Sequence, residues 1–368
     1  MASLLNIPIL HLNDASSWRG GEKQTYYLAL NLQRKGYRVF CICQKDSLLH
    51  QRLIEVDVPV FPIKMRSELD VFAAYKISQI ARGMRVGILH MHTAHSHTLG
   101  LISNYFYRCR LNIVSRRVDF RIKQNIFNRM KYHFPDKFIS VSNAIRDILI
   151  DDGIPGEKVT TVYSGVDLTR YQGIETSYLT DEFSHISDFK NRIKLINVAA
   201  LTPQKDQETL IRAIDRLVKH NRDIVLFIVG DGELRGRLLS LRDELGLNDY
   251  IFFTGFRDDA INLIKFFDIF VMSSRLEGLG TSLIDAMALS KPIIATSTGG
   301  VPELIDNGIN GILMERKNSQ ALADAILHLI NNRGLQERIS EGACKKAQNF
   351  SINDTVSQTI DVYNSFIE

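Results

Sequence analysis

Cysteine is scarce in this 368-residue chain, which holds four: Cys41, Cys43, Cys109 and Cys344, with no C-x-x-C pair among them. That spacing excludes a disulfide framework, and it leaves Cys41 and Cys43, alternate residues of one strand, as small buried hydrophobes. No run reaches the roughly 18 uncharged apolar residues that a membrane-spanning helix needs, and no basic segment precedes an apolar core near Met1, so the expected location is cytoplasmic. There is no internal repeat and no low-complexity tract.

What is present is the composition of a packed globular protein, 45% hydrophobic and 23% charged. The length exceeds what one core usually organises, which predicts two domains. A formal net charge of +4 hides an asymmetry: residues 1–137 carry 21 Lys and Arg against 9 Asp and Glu, and the remainder carries 24 against 32. A basic first half calls for a negatively charged partner, whether anionic lipid, phosphorylated glycan or nucleic acid, and no nucleic-acid-binding motif accompanies the charge.

Strands are read at 7–12, 38–43, 86–90, 112–115 and 137–141, with a helix over 22–35 stopped by Gly36. Periodicity fades between Tyr171 and Arg192, and a second series of strands follows at 194–199, 224–229, 251–253, 269–272, 293–295 and 311–313. Two α/β domains with doubly wound parallel sheets result, over 1–170 and 171–350, with an amphipathic helix at 351–368 packing back on the first.

The strongest chemical signal runs from Ser274 to Ala286, between a buried strand and a helix. Its glycines let an anion approach the backbone, Thr281 or Ser282 is placed to cap the helix, and the helix N-terminus attracts a diphosphate. Glu277 and Asp285 border that site, where carboxylates suit sugar hydroxyls better than phosphate; a capped helix with two surface acids is the alternative. The segment E-G-L-G-T-S-L-I-D-A resembles the E-x7-E signature of retaining GT-B glycosyltransferases of family four, and the resemblance covers nearly the whole chain. It implies a GT-B architecture of two Rossmann-like domains facing a central cleft. It also implies that Glu277 contacts the donor sugar, that Leu279, Gly280, Thr281 and Ser282 hold the diphosphate, and that Asp285, where the family usually has Glu, binds the ribose.

Lys205 resembles the family's diphosphate-binding lysine, and Gly230, Phe256 and Arg257 resemble turns bordering the donor. Arg19, Gly20 and Gly21 resemble the N-terminal Gly-Gly loop, for which a simple tight turn is the other reading. The family's cleft histidine is replaced in Ser115-Arg116-Arg117-Val118, where Arg117 stands in as a sugar or acceptor contact or as an interdomain ion-pair partner. His92 is a further candidate contact. His90, His92, His95 and His97 crowd one loop without the spacing of a metal site, so no metal and no cofactor is expected. From Tyr105 to Phe134, basic and aromatic residues interleave, as suits an anionic membrane surface, an anionic lipid-linked acceptor or an ordinary solvated helix face.

The resemblance implies metal-independent transfer, with retention, of a sugar from a nucleotide donor to a glycan or lipid-linked acceptor, in bacterial envelope polysaccharide or lipopolysaccharide core synthesis. Glu277 and Lys205 would be the catalytic pair. An epimerase of the same fold or a noncatalytic nucleotide-sugar-binding protein are the alternatives.

Overall fold

A computed structural model describes residues 4–123 and 125–366. The chain divides into two compact units, Met1–Gly165 together with Ile352–Glu368, and Val166–Ser351. The division lies ahead of residue 170, where the sequence placed it. The Val166 amide donates to the Phe350 carbonyl at 2.9 Å and Val166 pairs with Ser351, which ties the residues after Gly165 into the second unit.

The first unit is built on β1 (Ile9–Asn13), β2 (Val39–Gln44), β3 (Val60–Ile63), β4 (Ile88–Met91), β5 (Leu111–Arg116), β6 (Lys137–Ser140) and β7 (Val159–Thr161). All run parallel, in the order β3-β2-β1-β4-β5-β6-β7. Between them lie α1 (Gly20–Arg34), α2 (Leu48–Glu55), α3 (Val71–Gly83), α4 (Ala94–Phe106), α5 (Ile126–His133) and α6 (Asn143–Asp151). Alternation along the strands divides the core. Ile9, Cys41, Ile88 and Ile113 face one side with Leu28 and Leu32 of α1 and Tyr363 of the C-terminal helix Ile352–Asn364. Leu10, Ile42, Leu89 and Phe138 face the other side with Ile77 of α3.

The second unit repeats the pattern with β8 (Ile193–Val198), β9 (Ile224–Val229), β10 (Ile251–Gly255), β11 (Ile269–Met272), β12 (Ile293–Thr296) and β13 (Ile312–Met314), in the order β10-β9-β8-β11-β12-β13. Every residue of β9, IVLFIV, is buried, as a strand covered by helices on both faces requires. Its helices are α7 (Ser177–Glu182), α8 (Gln207–Leu217), α9 (Arg235–Glu244), α10 (Ala260–Phe266), α11 (Thr281–Ala288), α12 (Val301–Leu304), α13 (Ser319–Ile330) and α14 (Arg333–Ala347). In α8, Leu210, Ile211, Ile214 and Leu217 recur at helical spacing and are all buried.

In each sheet the winding reverses between two neighbouring strands, β1 and β4 in the first and β8 and β11 in the second. The loops leaving the C-terminal ends of such a pair diverge, which opens the usual ligand-binding position of a doubly wound fold.

Gly230 follows β9 at φ +138°, and a Cβ built on it would lie 2.0 Å from the Ala199 carbonyl oxygen. Gly230→Ala is therefore expected to cost on the order of 2 kcal/mol or more through backbone strain and overpacking. An unchanged urea midpoint would rule out that close approach.

Candidate active site

In the second unit the winding reversal brings two distant loops together, one after β8 carrying Lys205 and one after β11 carrying Glu277. The Lys205 Nζ donates to Glu277 Oε2 at 2.5 Å, and the Ser274 hydroxyl donates to the same oxygen at 3.2 Å. The side chains are 24% and 10% exposed, so the pair is shielded yet reachable from solvent.

Backbone bonds hold the two loops in register. The amides of Arg275 and Leu276 donate to the Gln204 carbonyl at 2.7 and 3.2 Å, and the Arg275 guanidinium reaches the Pro203 carbonyl at 2.8 Å. Ser273 Oγ donates to the Lys205 carbonyl at 3.0 Å, and Thr298 Oγ1 to the Arg275 carbonyl at 2.7 Å. The ion pair thus sits on a fixed frame.

Beside it, α11 opens in a way the sequence reading did not anticipate. Neither Thr281 nor Ser282 caps the helix; Gly280 occupies the cap position at φ +97°, a conformation that favours glycine, and has no side chain with which to cap it. Leu279 is buried against the core. The positive end of the α11 dipole therefore carries no serine or threonine cap.

Asp285, within α11, accepts a hydrogen bond from the Tyr171 hydroxyl at 2.6 Å. Burial first, and then the neighbouring carboxylate, hold the Tyr171 phenol well above its ordinary range. Tyr171 stands where the hydrophobic periodicity fades, and no local signal marks it.

Arg257 is held by two carboxylates. Its guanidinium binds Asp259 with two bonds of 2.7 Å and Glu182 with bonds of 2.5 and 3.0 Å, and these carboxylates raise its pKa. Tyr178 donates to Asp259 at 2.6 Å in the same network. Phe256 beside it is exposed.

In the first unit, Arg19, Gly20 and Gly21 form the start of α1, where the Glu22 carboxylate accepts the Arg19 amide at 2.8 Å. Arg117, just past β5, packs here: a Cβ on Gly21 would sit 3.6 Å from its Cδ. Its Nη1 donates to Ser164 Oγ at 3.2 Å. Burial lowers the guanidinium pKa to about 10 against the opposing pull of Glu22, whose own carboxyl is raised by burial.

The four-histidine loop separates. His95 meets Asp14 at 3.2 Å on the surface, and His97 packs edge-on against Tyr132 and Phe138. His90 and His92 are joined instead by His11, which the sequence reading passed over as a strand residue. One ring nitrogen from each of the three lies within 4.8 Å of the others, spacing compatible with a metal. Hydrogen bonds already engage them: His11 Nδ1 with His92 Nε2 at 2.9 Å, His90 Nδ1 with the Tyr363 hydroxyl at 2.7 Å, and His90 Nε2 with Ser115 Oγ at 2.8 Å. The arrangement reads as a buried network of neutral imidazoles.

Comparison with known proteins bears on the family and the fold. Residues 180–346 match the family model for glycosyl transferases group 1, and residues 18–170 match that for glycosyltransferase family 4. An uncharacterized glycosyltransferase of Methanocaldococcus jannaschii is 31% identical over 63% of this chain, a match spanning 57% of that relative's length. N-acetyl-alpha-D-glucosaminyl L-malate synthase of Bacillus anthracis is 26% identical over 84% of this chain and 82% of its own. A crystal structure of Anabaena HepE in complex with UDP and glucose superposes with a TM-score of 0.87 at 22% identity, covering 98% of this chain and all of that one. With both units accounted for by these two models and by the two Rossmann-like sheets, the chain belongs to the GT-B glycosyltransferases of family four, the glycosyl transferases group 1.

Proposed function

We propose that this protein transfers a sugar from a nucleotide-sugar donor to a glycan or lipid-linked acceptor, with retention of configuration and without a metal ion. The observation that carries the reading is the Lys205–Glu277 pair on its bonded frame, beside a helix N-terminus with no side-chain cap. A diphosphate seated at α11 takes over the Lys205 charge, which neutralises the leaving group, and Glu277 is released toward the donor sugar to stabilise developing positive charge. The N-terminal amides of α11 and Lys205 supply the positive charge that a divalent ion would otherwise supply. That HepE crystallises with UDP and glucose supports a nucleotide-sugar donor. In this reading Asp285, which accepts from Tyr171, binds the ribose, and Arg117 contacts donor or acceptor. Assembly of bacterial envelope polysaccharide or lipopolysaccharide core, by an enzyme working at the inner face of the cell membrane, is the pathway this reading favours.

Screening the purified protein against nucleotide sugars for slow hydrolysis in excess chelator tests it. Release of nucleoside diphosphate from one donor is expected. Donor isomerisation without acceptor would favour an epimerase, binding without turnover a noncatalytic role, and activity lost to chelator and restored by a divalent ion would end the metal-free mechanism.

Lys205→Ala is expected to weaken nucleoside diphosphate by about 2 kcal/mol, the loss of a charge-assisted hydrogen bond. Calorimetric titration with UDP, GDP and ADP reads this directly, and unchanged affinity for the diphosphate that binds would remove Lys205 from its site.

A further inference from the structure

Large apolar side chains standing in solvent concentrate in one region of the first unit. Phe72, Tyr105, Ile126 and Met130 are 83%, 88%, 79% and 68% exposed, and Val71 and Tyr75 are exposed with them. Single exposed apolar residues are ordinary, whereas a group of them marks a contact surface.

Ring contacts join two of these residues, Tyr75 and Tyr105, through Phe106. Tyr75 of α3 meets Phe106 of α4 edge-on at 5.4 Å between centroids, and Phe106 meets Tyr105 at 5.6 Å. Lys131 of α5 fastens that helix to the N-terminal end of α4, the end away from Tyr105: its ammonium donates to the carbonyl of Ala94, the first residue of α4, at 2.8 Å. It also lies 3.7 Å from Glu68, just ahead of α3. Ile126 and Met130, one turn apart, stand on the outer side of α5.

The same region is strongly cationic. Residues 64–131 hold 13 Lys and Arg against three Asp and Glu. Lys76, Arg108, Lys123 and Arg129 are exposed among the apolar tips. Other cations of the stretch are already paired with acids or buried. Arg121 bonds Asp151 and Asp152 at 3.1 Å each, Lys131 is buried, and Arg116 donates to the Tyr132 hydroxyl at 2.9 Å.

We propose that this α3–α4–α5 face docks on an anionic lipid bilayer. Its aromatic and aliphatic tips enter the headgroup region while the exposed cations meet lipid phosphates. A soluble phosphorylated glycan would use the charges and leave the apolar tips in water; a bilayer uses both. The inference rests on the reading of a lipid-linked acceptor, and donor hydrolysis without vesicles tests that enzyme reading separately.

Sedimentation with vesicles of phosphatidylcholine containing about one third phosphatidylglycerol, and with phosphatidylcholine alone, decides it. The parent protein is expected to pellet with the anionic vesicles only and to be released at about 0.5 M salt. Two variants, one joining Phe72→Ser, Tyr105→Ser, Ile126→Ser and Met130→Ser, the other Lys76→Gln, Arg108→Gln, Lys123→Gln and Arg129→Gln, should each bind at least tenfold more weakly. Their melting and vesicle-free donor hydrolysis should be unchanged, because the altered side chains are exposed. A parent protein that stays in the supernatant with anionic vesicles, or either variant binding like the parent, overturns the proposal. Self-association of the parent that the serine variant abolishes would assign the face to contacts between copies of the chain and likewise exclude the bilayer.

Discussion

Glu277→Gln is expected to lower turnover by roughly two to three orders of magnitude, the usual cost of removing one preorganised electrostatic group from a transition state. Affinity for the nucleoside diphosphate should change by no more than a few-fold. The substitution keeps the shape of the side chain and its bond from Ser274 Oγ, and removes only the charge. A sugar in its ground state carries no net charge at the anomeric carbon, so the charge matters chiefly as that carbon becomes cationic. Lys205 loses its ion-pair partner, but the loop that carries it remains bonded through Gln204 and Ser273. Single-turnover rates and diphosphate titration separate the two effects. Parent-like turnover would remove Glu277 from the chemistry, and a loss of binding as large as the loss of rate would make it a general binding group instead.

Acid should unfold the first unit well before most carboxylates titrate. His11, His90, His92 and His97 are buried, and burial lowers all four, His11 and His97 to about 3. Arg117 adds to the effect at His90 and His92, as Lys131 and Arg116 do at His97. In the unfolded chain each titrates near 6.5, so below that pH the unfolded state binds more protons than the folded one and stability falls. The full contribution is present above about pH 6.5, and each histidine then removes up to about 1.4 kcal/mol per pH unit. The loss accumulates over the four as the pH falls from about 6.5, against a total stability of about 5–15 kcal/mol for an ordinary domain. Urea denaturation at pH 7.5 and at pH 5 measures this, and His97→Gln should flatten the slope by one histidine's share. Equal stability at the two pH values would show that these imidazoles are not held neutral.

The sheets were legible because their strands are continuous apolar runs ending in glycine-bearing turns; β9 and the Ser274 to Ala286 segment leave few other readings. The edge strands β3 and β7 were not. β3 is four residues, only one of them buried, and contains Pro62, which an edge tolerates because no ladder bond is required there; β7 is three residues long. What the sequence could not place were partnerships across the fold. His11 joins His90 only because β1 lies beside β4, a consequence of the winding reversal. Arg257 finds Glu182, and Asp285 finds Tyr171, across 75 and 114 residues. The cap of α11 was misassigned for a local reason: a glycine at positive φ starts that helix without the serine or threonine that capping rules favour.

The first unit is completed from the far end of the chain. Tyr363, which bonds His90, and Ile352 and Val356, which fill the core against α1, come after every residue of the second unit. During synthesis the second unit emerges as one uninterrupted segment and can close at once. The first waits with an open apolar face until its last helix leaves the ribosome, so nascent chains remain exposed to chaperones and proteases through that interval, and the unit encoded first finishes folding last.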